Sequence, residues 1–243
     1  MSDAADAKRA AGHAAIELVR DGMRLGLGTG STTAFAIEAL GARIRTEGLD
    51  VVGVATSFQA ERLARAAGVP LATLDGLGLD TLSSGPVLDL AFDGADEVDP
   101  QGRLIKGRGA AHVREKVVAS LAARFVVLVD PSKEVPRLGT RMPVPVEALP
   151  MAVPAIARTL RRLGAEPVLR EGQAKDGPVV TDQGFWVIDA RFPSIAAPET
   201  LSVQIDQIPG VLGHGLFLDL ATDVLVGEPD GSVRHRMHLR RAG

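Results

Sequence analysis

Residues 24–44 read RLGLGTGSTTAFAIEALGARI, and the fold turns on how this stretch is read. A short apolar run, Arg24–Gly28, ends in glycines and gives way to a helical pattern. That order predicts a strand, a tight turn and a helix over about Thr32–Ile44. The turn Gly26-Leu27-Gly28-Thr29-Gly30-Ser31-Thr32-Thr33 sets hydroxyls among glycines. Glycine lets the backbone come close to an anion, and the N–H groups at a helix N-terminus favour negative charge. The dinucleotide fingerprint needs a glycine or close substitute where Ser31 stands, and the Walker lysine is absent. The turn therefore suits a small phosphate better than a nucleotide. A capped glycine turn without a ligand is the plainer alternative.

The same unit recurs outward. Val51–Val54 predicts a strand and Gln59–Ala67 a helix; Val87–Phe92 predicts a strand, about Ala110–Ala123 a helix, and Phe125–Val129 a strand. Nearly continuous apolar strands alternating with helices predict a parallel sheet covered on both faces. Further on, Val144–Glu147, Met151–Leu163, Glu166–Arg170, Pro178–Val180, Phe185–Ala190, Glu199–Gln207 and Val211–Leu218 follow the order β-α-β-β-α-β of a ferredoxin-like unit. Asp223–Gly227 is expected to return as a last strand to the first domain. The expected fold class is α/β. A Rossmann-like, mostly parallel sheet domain covers residues 1–142, completed by about 217–243, and a smaller α+β ferredoxin-like domain covers residues 143–216.

Composition narrows the function. The chain has 243 residues, 46% of them apolar and 23% charged, with a net charge of -3. That is ordinary for a soluble globular protein and leaves no electrostatic footprint for nucleic acid or an anionic membrane. The absence of cysteine excludes disulfides and thiolate chemistry. The opening MSDAADAKRAAG lacks an apolar signal core and no apolar run approaches a membrane span, so a cytoplasmic protein is expected. The basic run Arg234–Arg241 reads as a solvated end. Only five of the 27 basic residues are lysines (Lys8, Lys106, Lys116, Lys133 and Lys175), and a lysine's compact charge suits phosphate or a developing oxyanion.

The chemistry concentrates in Asp93–Lys116, DGADEVDPQGRLIKGRGAAHVREK. Asp93, Asp96 and Glu97 crowd like charges after an apolar strand, a costly arrangement that tends to mark a site. Lys106 precedes Gly107-Arg108-Gly109. In the helix that follows, the neighbours of Glu115 at three and four positions are Ala111, His112, Val118 and Ala119, so no cation stands ready to pair with it. A carboxylate on that stripe is expected to have a raised pKa and to serve as a general base. A surface glutamate beside Arg114 and Lys116 is the alternative. Asp130-Pro131-Ser132-Lys133 and Thr56-Ser57 also follow strands. All four segments fall at the carboxyl ends of predicted parallel strands, the edge where an open α/β sheet binds ligands. The five histidines form no HExxH or His–carboxylate cluster, so no metal is expected, and no G-x-S-x-G elbow supports a serine triad.

GLGTGST, ATS, DGADEVD, LIKGRGAAHVREK, VDPSK, PVEALPMA, VVTDQG and IPGVLGHGLF, in this order, resemble the type A ribose-5-phosphate isomerases over nearly the whole chain. The resemblance implies interconversion of two small-molecule sugar phosphates, ribose 5-phosphate and ribulose 5-phosphate, with no metal or organic cofactor. It also implies a homodimer or homotetramer, with neither nucleic acid nor membrane as partner. Glu115 matches the family's proton acceptor, with Asp93 and Lys106 as further catalytic candidates. Thr29, Gly30, Ser31 and Thr32 match a substrate-binding loop, as do Asp93, Gly94, Ala95 and Asp96, and Lys106, Gly107, Arg108 and Gly109. Lys133 matches a further substrate contact and Lys8 a lysine near the phosphate end. Arg108 departs from the family's KGGG run: either it is strained at positive φ, or it takes ordinary φ and turns its side chain outward. A non-catalytic sugar-phosphate-sensing module is the closest rival and would not need Glu115. A nicotinamide oxidoreductase is opposed by Ser31 and by Thr56-Ser57 standing where a ribose-binding acid belongs. A metal-dependent hydride-shift isomerase is opposed by the want of ligands.

Overall fold

Leu25, Leu27, Leu90, Phe92, Val126 and Leu128 are buried on neighbouring strands, and an apolar interior of this kind requires cover on both faces of a sheet. The computed structural model describes residues 3–77, 85–174 and 176–238. In chain order the elements begin with α1 (Asp3–Ile16), β1 (Arg24–Leu27), α2 (Ser31–Glu47), β2 (Val52–Ala55), α3 (Phe58–Ala67) and β3 (Leu88–Gly94). Two short strands, β4 (Glu97–Val98) and β5 (Leu104–Ile105), precede α4 (His112–Leu121), β6 (Ala122–Val129) and β7 (Val144–Ala148). Then come α5 (Val153–Arg162), β8 (Glu166–Leu169), β9 (Trp186–Arg191), α6 (Pro198–Asp206), β10 (Val211–His214), β11 (Leu216–Phe217), β12 (Asp223–Gly227) and β13 (Val233–Met237). Among the described residues no helix is long and apolar enough to cross a membrane.

These elements form two compact units. The first comprises the described parts of residues 1–94, 114–133 and 219–243, and the second residues 95–113 and 134–218. The first unit holds a six-stranded sheet in the order β13-β12-β6-β3-β1-β2. β2, β1, β3, β6 and β12 run parallel, and only β13 is antiparallel. Counted along the chain, the parallel strands stand in the order 2-1-3-4-5, so the winding reverses between β1 and β3. Crevices at the carboxyl ends of strands flanking such a reversal are where ligands bind in open α/β sheets. Close packing around the sheet is made possible by missing side chains: a Cβ on Gly26 would lie 2.5 Å from Val118 of α4 and 2.6 Å from Ala91 of β3.

The second unit holds an antiparallel sheet in the order β10-β7-β9-β8, with α5 joining β7 to β8 and α6 joining β9 to β10. That is the ferredoxin-like arrangement. Its core gathers Val144, Val146, Ile156, Leu160, Ile188, Leu201 and Ile205. The α/β fold class expected from sequence is the fold observed.

Several details differ from the sequence reading. The compact units do not divide at residues 142 and 143: residues 95–113 and 134–142 fall with the second unit. The cause is a three-stranded sheet, β11-β5-β4, in which Leu216 and Phe217 pair with Ile105 and Leu104. The expected strand Val211–Leu218 is accordingly two, broken at Gly215, because its halves pair with different sheets. Pro178 and Val180 make isolated bridges, to Glu171 and Trp186, rather than a strand. Helix α4 starts at His112 because Ala110 is left-handed, with φ 58°. Of the basic run read as solvated, Arg234–Met237 lies in edge strand β13, and residues 239–241 lie outside the described residues. Lys175 also lies outside them.

Candidate active site

In the first unit, four turns stand at the carboxyl ends of β1, β2, β3 and β6, as the sequence predicted. Hydrogen bonds tie three of them together. The Thr29 N–H donates to Oδ1 of Asp93 at 2.9 Å, and the Gly94 N–H donates to the same oxygen at 2.7 Å. The Thr29 hydroxyl donates to the Ser57 hydroxyl at 2.7 Å and lies 2.9 Å from that of Thr56. Ser57 in turn caps α3, accepting from the Ala60 N–H at 3.1 Å. Gly28 makes the approach possible, since a Cβ there would lie 2.5 Å from the Asp93 carboxyl. Gly30, at φ 110°, occupies a conformation that side chains rarely adopt, and it delivers the chain into α2 at Ser31. Thr32 is buried in the first turn of that helix. The fourth turn is braced by Asp130, which accepts from the Ser132 N–H at 2.9 Å, and it carries the half-buried Lys133.

Glu115 stands on α4 and is 5% exposed. Two observations bring its end of the helix to the same edge. Val118, one turn later, packs against Gly26 in the middle of β1. Arg114 donates to the carbonyl of Ala55, the last residue of β2, at 3.2 Å. The helix links parallel strands β3 and β6 and so runs against them, with its N-terminal part at their carboxyl ends. The reading of Glu115 as a surface glutamate is thereby set aside. Lys8 stands apart from the four turns by element, half-buried on α1, which packs against α2 and β12.

In the second unit, the Lys106–Gly109 loop follows β5. Lys106 is 3% exposed; its N–H donates to the Gly215 carbonyl at 2.9 Å, and its Nζ lies 5.5 Å from the centre of the Phe217 ring. Positive φ falls on Gly107, at 110°, and on Ala110, not on Arg108. Arg108 thus takes ordinary φ without strain. Its N–H donates to Oδ2 of Asp96 at 2.9 Å, and its side chain is 73% exposed. Asp96 is itself held by its N–H, which donates to the Ile105 carbonyl at 2.8 Å. Gly107 packs against the His112 ring, 2.8 Å from where a Cβ would stand.

Two groups in the crowded stretch are structural. Glu97 is fully buried and accepts from the N–H groups of Gly139, Arg141 and Met142, which relieves its charge. Asp99, equally buried, accepts from the N–H groups of Gln101 and Arg103 and pairs with the Arg103 side chain. Sequence reasoning missed Arg170, whose Nη1 donates to the carbonyls of Gly107 at 2.9 Å and Arg108 at 3.0 Å. No local pattern marks it, because its partners lie some sixty residues away.

Known proteins match the chain over nearly all of its length. The family model for ribose 5-phosphate isomerase A (phosphoriboisomerase A) matches residues 52–231. The chain is 54% identical over 231 residues to ribose-5-phosphate isomerase A of Thermosynechococcus vestitus, covering 94% of each chain. It is 49% identical over 227 residues to that of Methanosarcina acetivorans, covering 93% of this chain and 92% of the other. The solved structure of ribose 5-phosphate isomerase A from Methanocaldococcus jannaschii matches with a TM-score of 0.87 at 44% identity, covering 96% of this chain and 98% of that one. A D-ribose-5-phosphate isomerase solved in complex with phospho-erythronic acid matches with a TM-score of 0.88 at 44% identity, covering 95% and 97%.

Proposed function

The chain belongs to the ribose 5-phosphate isomerase A family, and from that premise we propose that it interconverts D-ribose 5-phosphate and D-ribulose 5-phosphate through an enediolate, with Glu115 moving the proton. The observation that carries this reading is the edge of the parallel sheet. There Asp93 is fixed to the Thr29 turn, and the buried Glu115 follows an arginine anchored to the end of β2.

Aldose–ketose isomerisation takes a proton from carbon 2 and returns one to the adjacent carbon 1. One carboxylate on one face of the sugar can perform both transfers. That is the role assigned to Glu115. The intermediate carries oxyanion charge, assigned to Lys106 and the N–H groups around Gly107–Gly109, where each donor contributes about 3 kcal/mol to the transition state. Asp93 and Asp96 orient sugar hydroxyls, with Gly94 and Ala95 lining that turn, and assist the ring opening that must precede enolisation. The turn from Thr29 to Thr32 takes the phosphate at the N-terminus of α2, with Lys8 or Lys133 adding charge. Arg108 gives its own N–H to Asp96 at 2.9 Å, with its Nε 4.0 Å from the same carboxylate, so within Gly107–Gly109 the oxyanion contacts fall to the N–H groups of Gly107 and Gly109. Cytoplasmic residence and assembly as a homodimer or homotetramer belong to the same proposal, and light scattering tests the assembly.

The deciding experiment is ketose formation from ribose 5-phosphate in the presence of a chelator, comparing wild type with Glu115→Gln. Wild-type turnover is expected to resist the chelator. The variant, which keeps the shape and loses the base, is expected to bind substrate while kcat falls by about 10²–10⁴. Near-normal turnover in the variant removes Glu115 from the mechanism.

A further inference from the structure

We infer that Arg170 is a positioning residue that sets the Lys106–Gly109 loop from behind, by clamping its carbonyls. The inference rests on the proposed reading of that loop as the oxyanion-stabilising segment. A loop that offers N–H groups and a lysine to one side must hold its carbonyls to the other. Those carbonyls are where Arg170 acts: a single nitrogen, Nη1, donates to both Gly107 and Arg108, at 2.9 and 3.0 Å.

The arginine is itself held. Its Nε donates to Oδ2 of Asp189 at 2.8 Å, and its Nη2 pairs with Oδ1 at 2.5 Å. Asp189 lies on β9 opposite Val168 of β8, and Arg170 directly follows β8, so the pair joins two neighbouring chain segments whose register is fixed by the sheet. The backbone at 170 is bonded on both sides: its N–H donates to Val187, and its carbonyl accepts from Val179. A planar guanidinium can serve a carboxylate with one edge and two carbonyls with the remaining nitrogen; an ammonium cannot do both. The side chains of the pair are only 16% and 23% exposed, so water competes weakly for these bonds.

The loop needs such a brace. Positive φ falls within it at Gly107, at 110°, and immediately after it at the non-glycine Ala110, at 58°. Strained conformations persist only where the surroundings over-determine them. The Ala110 N–H donates back to Gly107 at 3.0 Å, and the Arg108 N–H is held by Asp96 at 2.9 Å. Arg170 completes the set from the carbonyl side. In the proposed reaction it touches no reacting atom and acts through the loop.

The test combines kinetics with hydrogen–deuterium exchange of the peptide covering residues 104–113. For Arg170→Met the expectation is a rise in exchange confined to that peptide, kcat lower by about 10- to 100-fold, and KM within about threefold, since small misplacements of catalytic groups cost rate before binding. Arg170→Lys should fall between. On a Lys106→Ala background the same substitution should slow turnover by less than about threefold, because its effect passes through the lysine and its loop. Unchanged exchange at 104–113, a rise spread over the whole chain, a pure KM effect, or a full repeat of the kcat loss without Lys106 would each overturn the inference. Should Arg170→Met not fold, Asp189→Asn loosens the clamp and carries the same expectations at smaller size. A wild-type chain that did not isomerise ribose 5-phosphate would overturn the functional reading instead, and the exchange measurement would still decide whether Arg170 holds the loop.

Discussion

The Thr29 N–H donates to Oδ1 of Asp93 at 2.9 Å, across the two strands between which the sheet reverses its winding. Asp93 therefore has a structural job that substitution can separate from its proposed one of orienting the sugar. Asparagine keeps an oxygen for the N–H groups of Thr29 and Gly94 and loses the charge. Asp93→Asn should unfold within about 1 kcal/mol of wild type, whereas Asp93→Ala, which strands two donors, should lose about 1–3 kcal/mol. Both should lose turnover if the carboxylate orients the sugar. Urea unfolding beside steady-state kinetics reads the two effects, and an active asparagine variant would confine Asp93 to a structural role.

Two glycines of β1 and its turn offer a matched comparison. A Cβ at Gly26 meets Val118 and Ala91 in the core, and one at Gly28 meets the Asp93 carboxyl. Overpacking of either kind costs about 1–3 kcal/mol. Gly26→Ala and Gly28→Ala should thus share a lowered Tm, but Gly28→Ala should also lower kcat at a temperature where both are folded. Equal activities would mean that the Asp93 carboxyl can shift without consequence.

Asp223 holds β12 to its neighbours through Arg124, with two contacts of 2.7 Å, and through His235 at 2.6 Å. Burial alone would raise its carboxyl, but hydrogen bonds from Arg124, Thr222 and His235 outweigh burial and bring it from 3.8 to about 2. A folded value below the unfolded one stabilises above pH 3.8 and loses that stabilisation as pH falls toward 2. With allowance for solvent screening of the half-exposed Arg124 and His235, the contribution is on the order of 1–2 kcal/mol. Asp223→Asn should be less stable than wild type at pH 7, with the gap closing between pH 4 and pH 2. A gap that stayed constant through this range would deny the carboxylate its linkage.

Glu147 behaves in the opposite sense. It is buried on β7, where burial raises its carboxyl; the Thr181 hydroxyl, donating at 2.7 Å, partly offsets this, and Asp182 adds to it. A raised folded value gives stability that is complete below the ordinary carboxylate range and is lost as pH rises through the folded value. Glu147→Gln keeps an acceptor for Thr181 and carries no charge. Its Tm should exceed that of wild type at pH 8, with the difference shrinking toward pH 4, and a difference independent of pH would refute the assignment.

Much of the first unit is legible because its signals are local. Gly28, Gly30 and the apolar runs beside them announce strand, turn and helix within twenty residues, and repetition of that pattern places Thr29, Thr56, Asp93 and Lys133 at one edge. Glu115 is legible from the residue types three and four positions away in the sequence, Ala111, His112, Val118 and Ala119, none of them lysine or arginine. Other features depend on partners that the local pattern cannot supply. Helix α1 buries only small side chains along most of its length, Ala7, Ala11 and Ala15, so its apolar face is faint. Strands β4 and β5 have two residues each and exist through pairing with each other and with β11. Arg170 acquires meaning only when β8 and β9 bring it to Asp189.

Strand β13 also protects the molecule from its own kind. Every residue of β12, DVLVG, is buried, and without a neighbour on that side such a strand would be an open template for another chain. β13 fills the position with Arg234, paired with Glu228, and His235, paired with Asp223, both partly exposed. Charged residues on an edge strand discourage further sheet growth. The part of the basic stretch that lies in β13 thus discourages pairing with another chain at that edge of the sheet.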